Sequence, residues 1–136
     1  MKKQLILQNE LSQISALAAF VETIGEELSL SPELVMNLNL VLEEAVSNII
    51  MYAYPPKELQ NITIEAQKTD DLLIFIITYQ GVEFDPTQVA EADICLSADQ
   101  RQIGGLGIFL IKKIMNEIEY QRVDGTNVFT LKKKLE

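Results

Sequence analysis

The chain has 136 residues, 48% of them apolar and 23% charged, a composition that folds and is long enough for one core but not two. With a net charge of −9 and only Lys132-Lys133-Lys134 as a basic cluster, it is a poor general nucleic-acid binder. The absence of histidine excludes a Ser-His-Asp triad, a histidine metal site and a phospho-accepting histidine, and the single Cys95 cannot form an internal disulfide.

Gln4 to Gln8 predicts a short first strand. Ser12 offers an N-cap, and Ile14, Leu17, Ala18, Val21, Ile24 and Leu28 recur at helical spacing, so a helix is expected to end near Ser29. Ser31-Pro32-Glu33 starts a second helix. Serine caps free amides, proline at the first position has its angle preset, and glutamate suits the positive end of the dipole. This helix runs from Pro32 to about Tyr52, where Pro55-Pro56 forbids continuation.

Ile62 to Ala66 alternates, Thr69-Asp70-Asp71 has turn chemistry, and Leu72 to Thr78 is a dense apolar run, so a hairpin is expected. The weak alternation of Leu72 to Ile77 predicts a strand central in the sheet and buried on both faces. Gly81 to about Gln102 reads as a long irregular segment, with a short helix after Pro86. Gly104-Gly105-Leu106-Gly107 leads into a helix with apolar positions Ile108, Leu110, Ile111, Ile114, Met115 and Ile118. Glu119 to Val123 and Asn127 to Lys133 flank Asp124-Gly125, the dipeptide of tight two-residue turns. Hairpin-linked strands and separate helix blocks predict an α/β (α+β) two-layer sandwich: a single domain over residues 1–136, with a mixed, mainly antiparallel sheet and helices on one face. The apolar run after Met1 is too short for a signal peptide and no later stretch reads as long enough to span a membrane, so a cytoplasmic location is expected.

Three clusters carry possible chemistry. Glu44 and Asn48 stand four residues apart on the second helix and share a face. A carboxylate and a carboxamide so placed can hold a divalent cation and orient a nucleophile, although the same spacing also fits a solvated helix face. The glycines of 104–107 let amides approach a phosphate at a helix start, and they equally fit a plain helix-entry turn. Gly81-Val82-Glu83-Phe84-Asp85-Pro86 permits a flat ligand against the strand end, or is an ordinary strand exit.

Taken together, these segments resemble the GHKL (Bergerat-fold) ATP-binding family, in the form of bacterial anti-sigma-factor serine kinases. Asn39 to Tyr54 resembles the N-box helix, whose pattern in those kinases is Glu-Ala-Val-x-Asn-x-x-x-His-Ala-Tyr. Gly81 to Pro86 resembles the end of the first glycine box, Asp-x-Gly-x-x-Phe-Asp-Pro; Gly104 to Tyr120 resembles the second box and its helix, and Asn127 to Leu131 the closing strand. The resemblance implies ATP and Mg2+ as cofactors, with Asn48 as the metal ligand and Glu44 activating a protein serine. It implies Gly81 against the adenine, Gly105, Leu106 and Gly107 giving amides to phosphates, Thr130 hydrogen-bonding near the adenine, and a lid from about Gln88 to Gly104. The implied partners are a sigma factor and an antagonist (anti-anti-sigma) protein, with a homodimer as a further possibility; the acidic charge and the short apolar runs lead to the expectation of neither direct nucleic-acid nor membrane contact.

Two positions depart from the pattern: Tyr79 stands where the first box has its adenine-binding aspartate, and Tyr52 where the N-box has histidine. Losing a buried charged hydrogen bond costs about 1.5–3 kcal/mol, roughly ten- to a hundred-fold in affinity. Two functions therefore stand beside each other: an ATP-dependent anti-sigma kinase, and a non-catalytic binding module on the same fold with weak or absent nucleotide binding. A histidine-kinase catalytic domain detached from its dimerisation helices ranks below both.

Overall fold

In a computed structural model, residues 1–53, 59–87 and 107–135 are described. The elements run β1 (Lys2–Gln8), α1 (Ala16–Leu28), α2 (Pro32–Tyr52), β2 (Asn61–Thr69), β3 (Leu72–Tyr79), α3 (Gly107–Ile114), β4 (Glu117–Val123) and β5 (Thr126–Lys134). They form a five-stranded sheet in the order β1-β2-β3-β5-β4, and every pairing between neighbours is antiparallel. The predicted two-layer sandwich is therefore present, with no parallel pair among the described strands.

Local chemistry explains the boundaries. Ser31 accepts a hydrogen bond from Leu34 N at 3.1 Å, and Pro32 opens α2 as the sequence predicts. Asp124 and Gly125 take φ of 50° and 81°, the left-handed pair that a two-residue turn between β4 and β5 requires. Helix α1 differs from expectation. Leu11–Ser15 form a 3₁₀ turn, and the α-helix starts only at Ala16, with no side-chain cap from Ser15. Helix α3 is shorter than its apolar pattern suggests. It stops at Ile114, and Asn116 then bonds into the sheet, its N donating to Lys132 O and its Oδ1 accepting from Lys134 N, both at 2.8 Å. Ile118 consequently lies in β4, not in the helix.

β3 is the middle strand, as predicted, but its burial alternates. Leu73, Phe75, Ile77 and Tyr79 are buried against the helices, whereas Leu72, Ile74, Ile76 and Thr78 are only half-buried on the other face. The uninterrupted apolar run thus reflects a central position and not a second covering layer. By length and composition α2 is apolar enough to cross a membrane, contrary to the sequence expectation, yet its stripe Leu38, Val41, Leu42, Ala45, Val46 and Ile49 lies in the single core with the inner face of the sheet.

The α1–α2 crossing depends on Gly25. A Cβ there would meet Val35 Cγ2 at 2.5 Å. Valine within a helix has one favoured rotamer and cannot swing aside. Overpacking of this kind costs about 1–3 kcal/mol, which outweighs the roughly 1 kcal/mol that alanine gains over glycine in a helix. Gly25→Ala is expected to lower the urea midpoint, and adding Val35→Ala should recover part of that loss. An additive double mutant would contradict the contact.

Candidate functional site

Asn48 is the polar residue within α2's buried stripe, 1% exposed. Among the described residues its Oδ1 has no hydrogen-bond partner, and neither does the buried Oε2 of Glu44, one turn earlier on the same side of the helix. Unpaired buried oxygens cost free energy, so two together mark a place built to receive something that donates or coordinates. Asn39 Oδ1 is a third such atom, but it sits on the other side of α2, in a groove with α1, and its amide donates to Glu43 at 2.7 Å. The Glu44 carboxyl titrates above the ordinary glutamate range, chiefly because burial disfavours its charge and secondly because Glu43 repels it.

The segment after β3 crosses the C-terminal end of α2 as a strap. Gly81 has φ 86°, a left-handed conformation that glycine adopts without strain. Val82 N donates to Ala53 O at 2.9 Å, just past the end of α2, and the Phe84 ring lies against Tyr52 with centroids 5.7 Å apart. Tyr79, 1% exposed, lies within the core, and its hydroxyl donates to Phe84 O at 2.6 Å. Asp85 Oδ1 accepts from both Thr87 N and Thr87 Oγ1, closing the turn at Pro86.

Gly107 is the first residue of α3, and α3 packs on α2 through buried Ile108 and Ile111. Glu44 and Asn48 lie on α2, and both the Gly81 strap and α3 pack against that helix. Gly105, Leu106 and the expected lid from Gln88 to Gly104 lie outside the described residues.

Thr130 does not join this group. Alternation along β5 turns Asn127, Phe129 and Leu131 toward the helices. Thr130 therefore faces the opposite side of the sheet, in register between Ile76 and Glu119. The position facing the strap belongs to Asn127, which sequence reasoning missed because an asparagine in a strand carries no motif signal. It is completely buried, and its Nδ2 has the carbonyls of Tyr79, Gln80 and Val82 within reach at 3.2, 3.1 and 3.0 Å, sharing its two N–H groups among them.

Residues 7–133 match the histidine kinase-like ATPase domain family. The chain belongs to that family. It is 34% identical to the serine/threonine-protein kinase BtrW of Bordetella bronchiseptica over 74% of this chain and 71% of that one. It is 27% identical to the serine-protein kinase RsbW of Listeria monocytogenes, over 80% of this chain and 72% of the relative. Among solved structures, a chain of the SiaB–SiaC complex from Pseudomonas aeruginosa superposes with a TM-score of 0.59 at 20% identity, covering 95% of this chain and 88% of that one. A blue-light-activated histidine kinase domain from Erythrobacter litoralis shares the fold at a TM-score of 0.55 and 10% identity, over 92% of this chain and 60% of that one.

The histidine kinase-like ATPases use ATP, and the described residues fit the metal side of a nucleotide site. Magnesium takes hard oxygen ligands, commonly one or two from protein with the rest from phosphates and water, and Asn48 Oδ1 is a buried oxygen with no competing partner among the described residues. The base side fits less well, since a buried phenol stands where the resemblance requires a carboxylate.

The raised proton affinity of Glu44 has a signed consequence. Between the unfolded and folded pKa values the folded state binds more protons, so this residue's stabilising contribution is present at low pH and is lost as pH rises through the folded value. Glu44→Gln should therefore raise the melting midpoint at pH 8 and change it little at pH 4. Equal shifts at both pH values would contradict the assignment.

Proposed function

We propose that this chain is a cytoplasmic, ATP- and Mg2+-dependent protein serine kinase of the partner-switching kind. In this reading it restrains a sigma factor, phosphorylates a serine of an antagonist protein, and acts as a homodimer. The observation that carries the reading is the pair of buried, unpartnered oxygens on adjacent turns of α2, Glu44 Oε2 and Asn48 Oδ1. The serine-kinase names of its relatives, and a structural neighbour seen in a protein complex, support the same direction.

Phosphoryl transfer needs positioning and charge stabilisation more than covalent help from the protein. Bound Mg2+ would supply that charge stabilisation. Asn48 would hold the metal, and the amides of Gly105, Leu106 and Gly107, at the head of α3, would hold phosphate oxygens. Gly81, in its left-handed conformation, would lie against the base beside the strap. Glu44 would accept the proton of the incoming serine hydroxyl, and burial moves its proton affinity toward neutral pH, where a general base works best.

The second reading, a non-catalytic binding module, is favoured by Tyr79. Its ring is buried and its hydroxyl is bonded to Phe84 O, so the base side lacks the family's carboxylate.

The two readings separate in one experiment: labelled ATP incubated with the protein and candidate antagonist proteins, beside calorimetric titration of Mg-ATP. The kinase reading expects binding and label on a serine, with Glu44→Ala reducing transfer by about 10²- to 10⁴-fold while ATP still binds. Transfer unaffected by Glu44→Ala would remove Glu44 as the base. Absence of both binding and transfer in the wild type would favour the binding module.

A further inference from the structure

Asn127 makes more hydrogen bonds than its strand position needs. Beside the three carbonyls that Nδ2 reaches, its Oδ1 accepts from Phe84 N at 3.2 Å, from Arg122 Nη1 at 3.2 Å and from the Tyr120 hydroxyl. Four of these six bonds go to backbone atoms of residues 79–84, the segment that leaves β3 and crosses α2. The backbone there leaves β3 and turns through the left-handed Gly81, and the buried Asn127 carboxamide meets the carbonyls of Gln80 and Val82 on either side of that turn. The opposite edge of the same segment is fixed to α2 by Val82 N on Ala53 O and by Phe84 against Tyr52.

We infer that Asn127 is a positioning residue for the base side of the nucleotide site: it fixes the Gln80–Phe84 strap and so sets the distance at which a base can stack beside Gly81. This rests on the nucleotide-binding reading above and adds to it a residue on the opposite side of the strap from Glu44 and Asn48. The strap is held from both edges through its own backbone, so its shape does not depend on a ligand. Recognition of the base then relies on a pre-set surface, with Asn127 acting through the strap and not by touching the ligand.

The test compares wild type with Asn127→Ala and Asn127→Asp. The aspartate has nearly the same shape but, ionised, cannot donate to three carbonyls. Two readouts are taken on each protein: backbone hydrogen exchange, and calorimetric titration with Mg-ATP and separately with Mg-tripolyphosphate, which lacks base and sugar. The expected result is faster exchange by tenfold or more at Val82 and Phe84 with β2 unchanged, ATP affinity reduced about tenfold, and tripolyphosphate affinity unaltered. A merely structural asparagine would lower both affinities together, or neither, and either outcome overturns the inference. Unchanged exchange at the strap also overturns it. If aspartate prevents folding, alanine carries the comparison alone. If the wild type binds tripolyphosphate but gains nothing from the base, the inference fails while the phosphate side stands. If it binds neither ligand, the nucleotide reading itself fails, the base-side role falls with it, and hydrogen exchange separately reports whether Asn127 holds the strap.

Discussion

An asparagine inside an apolar helix stripe is the constraint around which the rest is arranged. Helix α2 buries Leu38, Val41, Leu42, Ala45, Val46 and Ile49 to form the core, and the same face carries Asn48 into it with an unpaired oxygen. A buried polar atom without a partner costs about 1–3 kcal/mol, and an apolar side chain in the same space would remove that cost. Folding alone therefore does not explain the residue. Because α2 is pinned along its length by α1, the sheet and α3, Asn48 and Glu44 cannot move independently of the core. The site is rigid on this side because Asn48 sits within the packing face itself.

A second constraint, on the strap, complements the first. Its carbonyls and amides are satisfied by Asn127 on one edge and by Ala53 O on the other, and the buried Tyr79 hydroxyl reaches forward to Phe84 O. The site thus has two halves with different character. On the α2 half, oxygens are left open. On the strap half, the described polar groups are engaged with one another. The contrast parallels the sequence resemblance, which keeps the pattern at Glu44 and Asn48 and departs from it at Tyr79.

Much of this was readable from sequence where a local rule had a single solution. Ser31-Pro32-Glu33 begins a helix, Asp124-Gly125 makes a tight turn, and the spacing of Glu44 and Asn48 by itself puts them on one helix face. Errors arose where tertiary contacts override local pattern. Ile118 fits the helical period, but Asn116 is captured by β5 and the chain becomes a strand. The apolar run of β3 suggests cover on both sides, but its outer residues are only half-buried, shielded by neighbouring strands and not by a second layer. Thr130 was placed beside the adenine by resemblance, and the two-residue repeat of the strand turns it to the other face. Asn127 was invisible because its role lies in bonds to residues 43 to 48 positions away.

The central claim is that Asn48 is held in the core as a metal ligand. Its most direct test is the Mg2+ dependence of ATP binding in wild type and Asn48→Ala, measured by calorimetry at matched ionic strength. The account predicts that Mg2+ strengthens ATP binding tenfold or more in the wild type, that the gain vanishes in Asn48→Ala, and that metal-free ATP binds both proteins alike. An undiminished Mg2+ gain in Asn48→Ala would show that the metal, if bound, is held elsewhere.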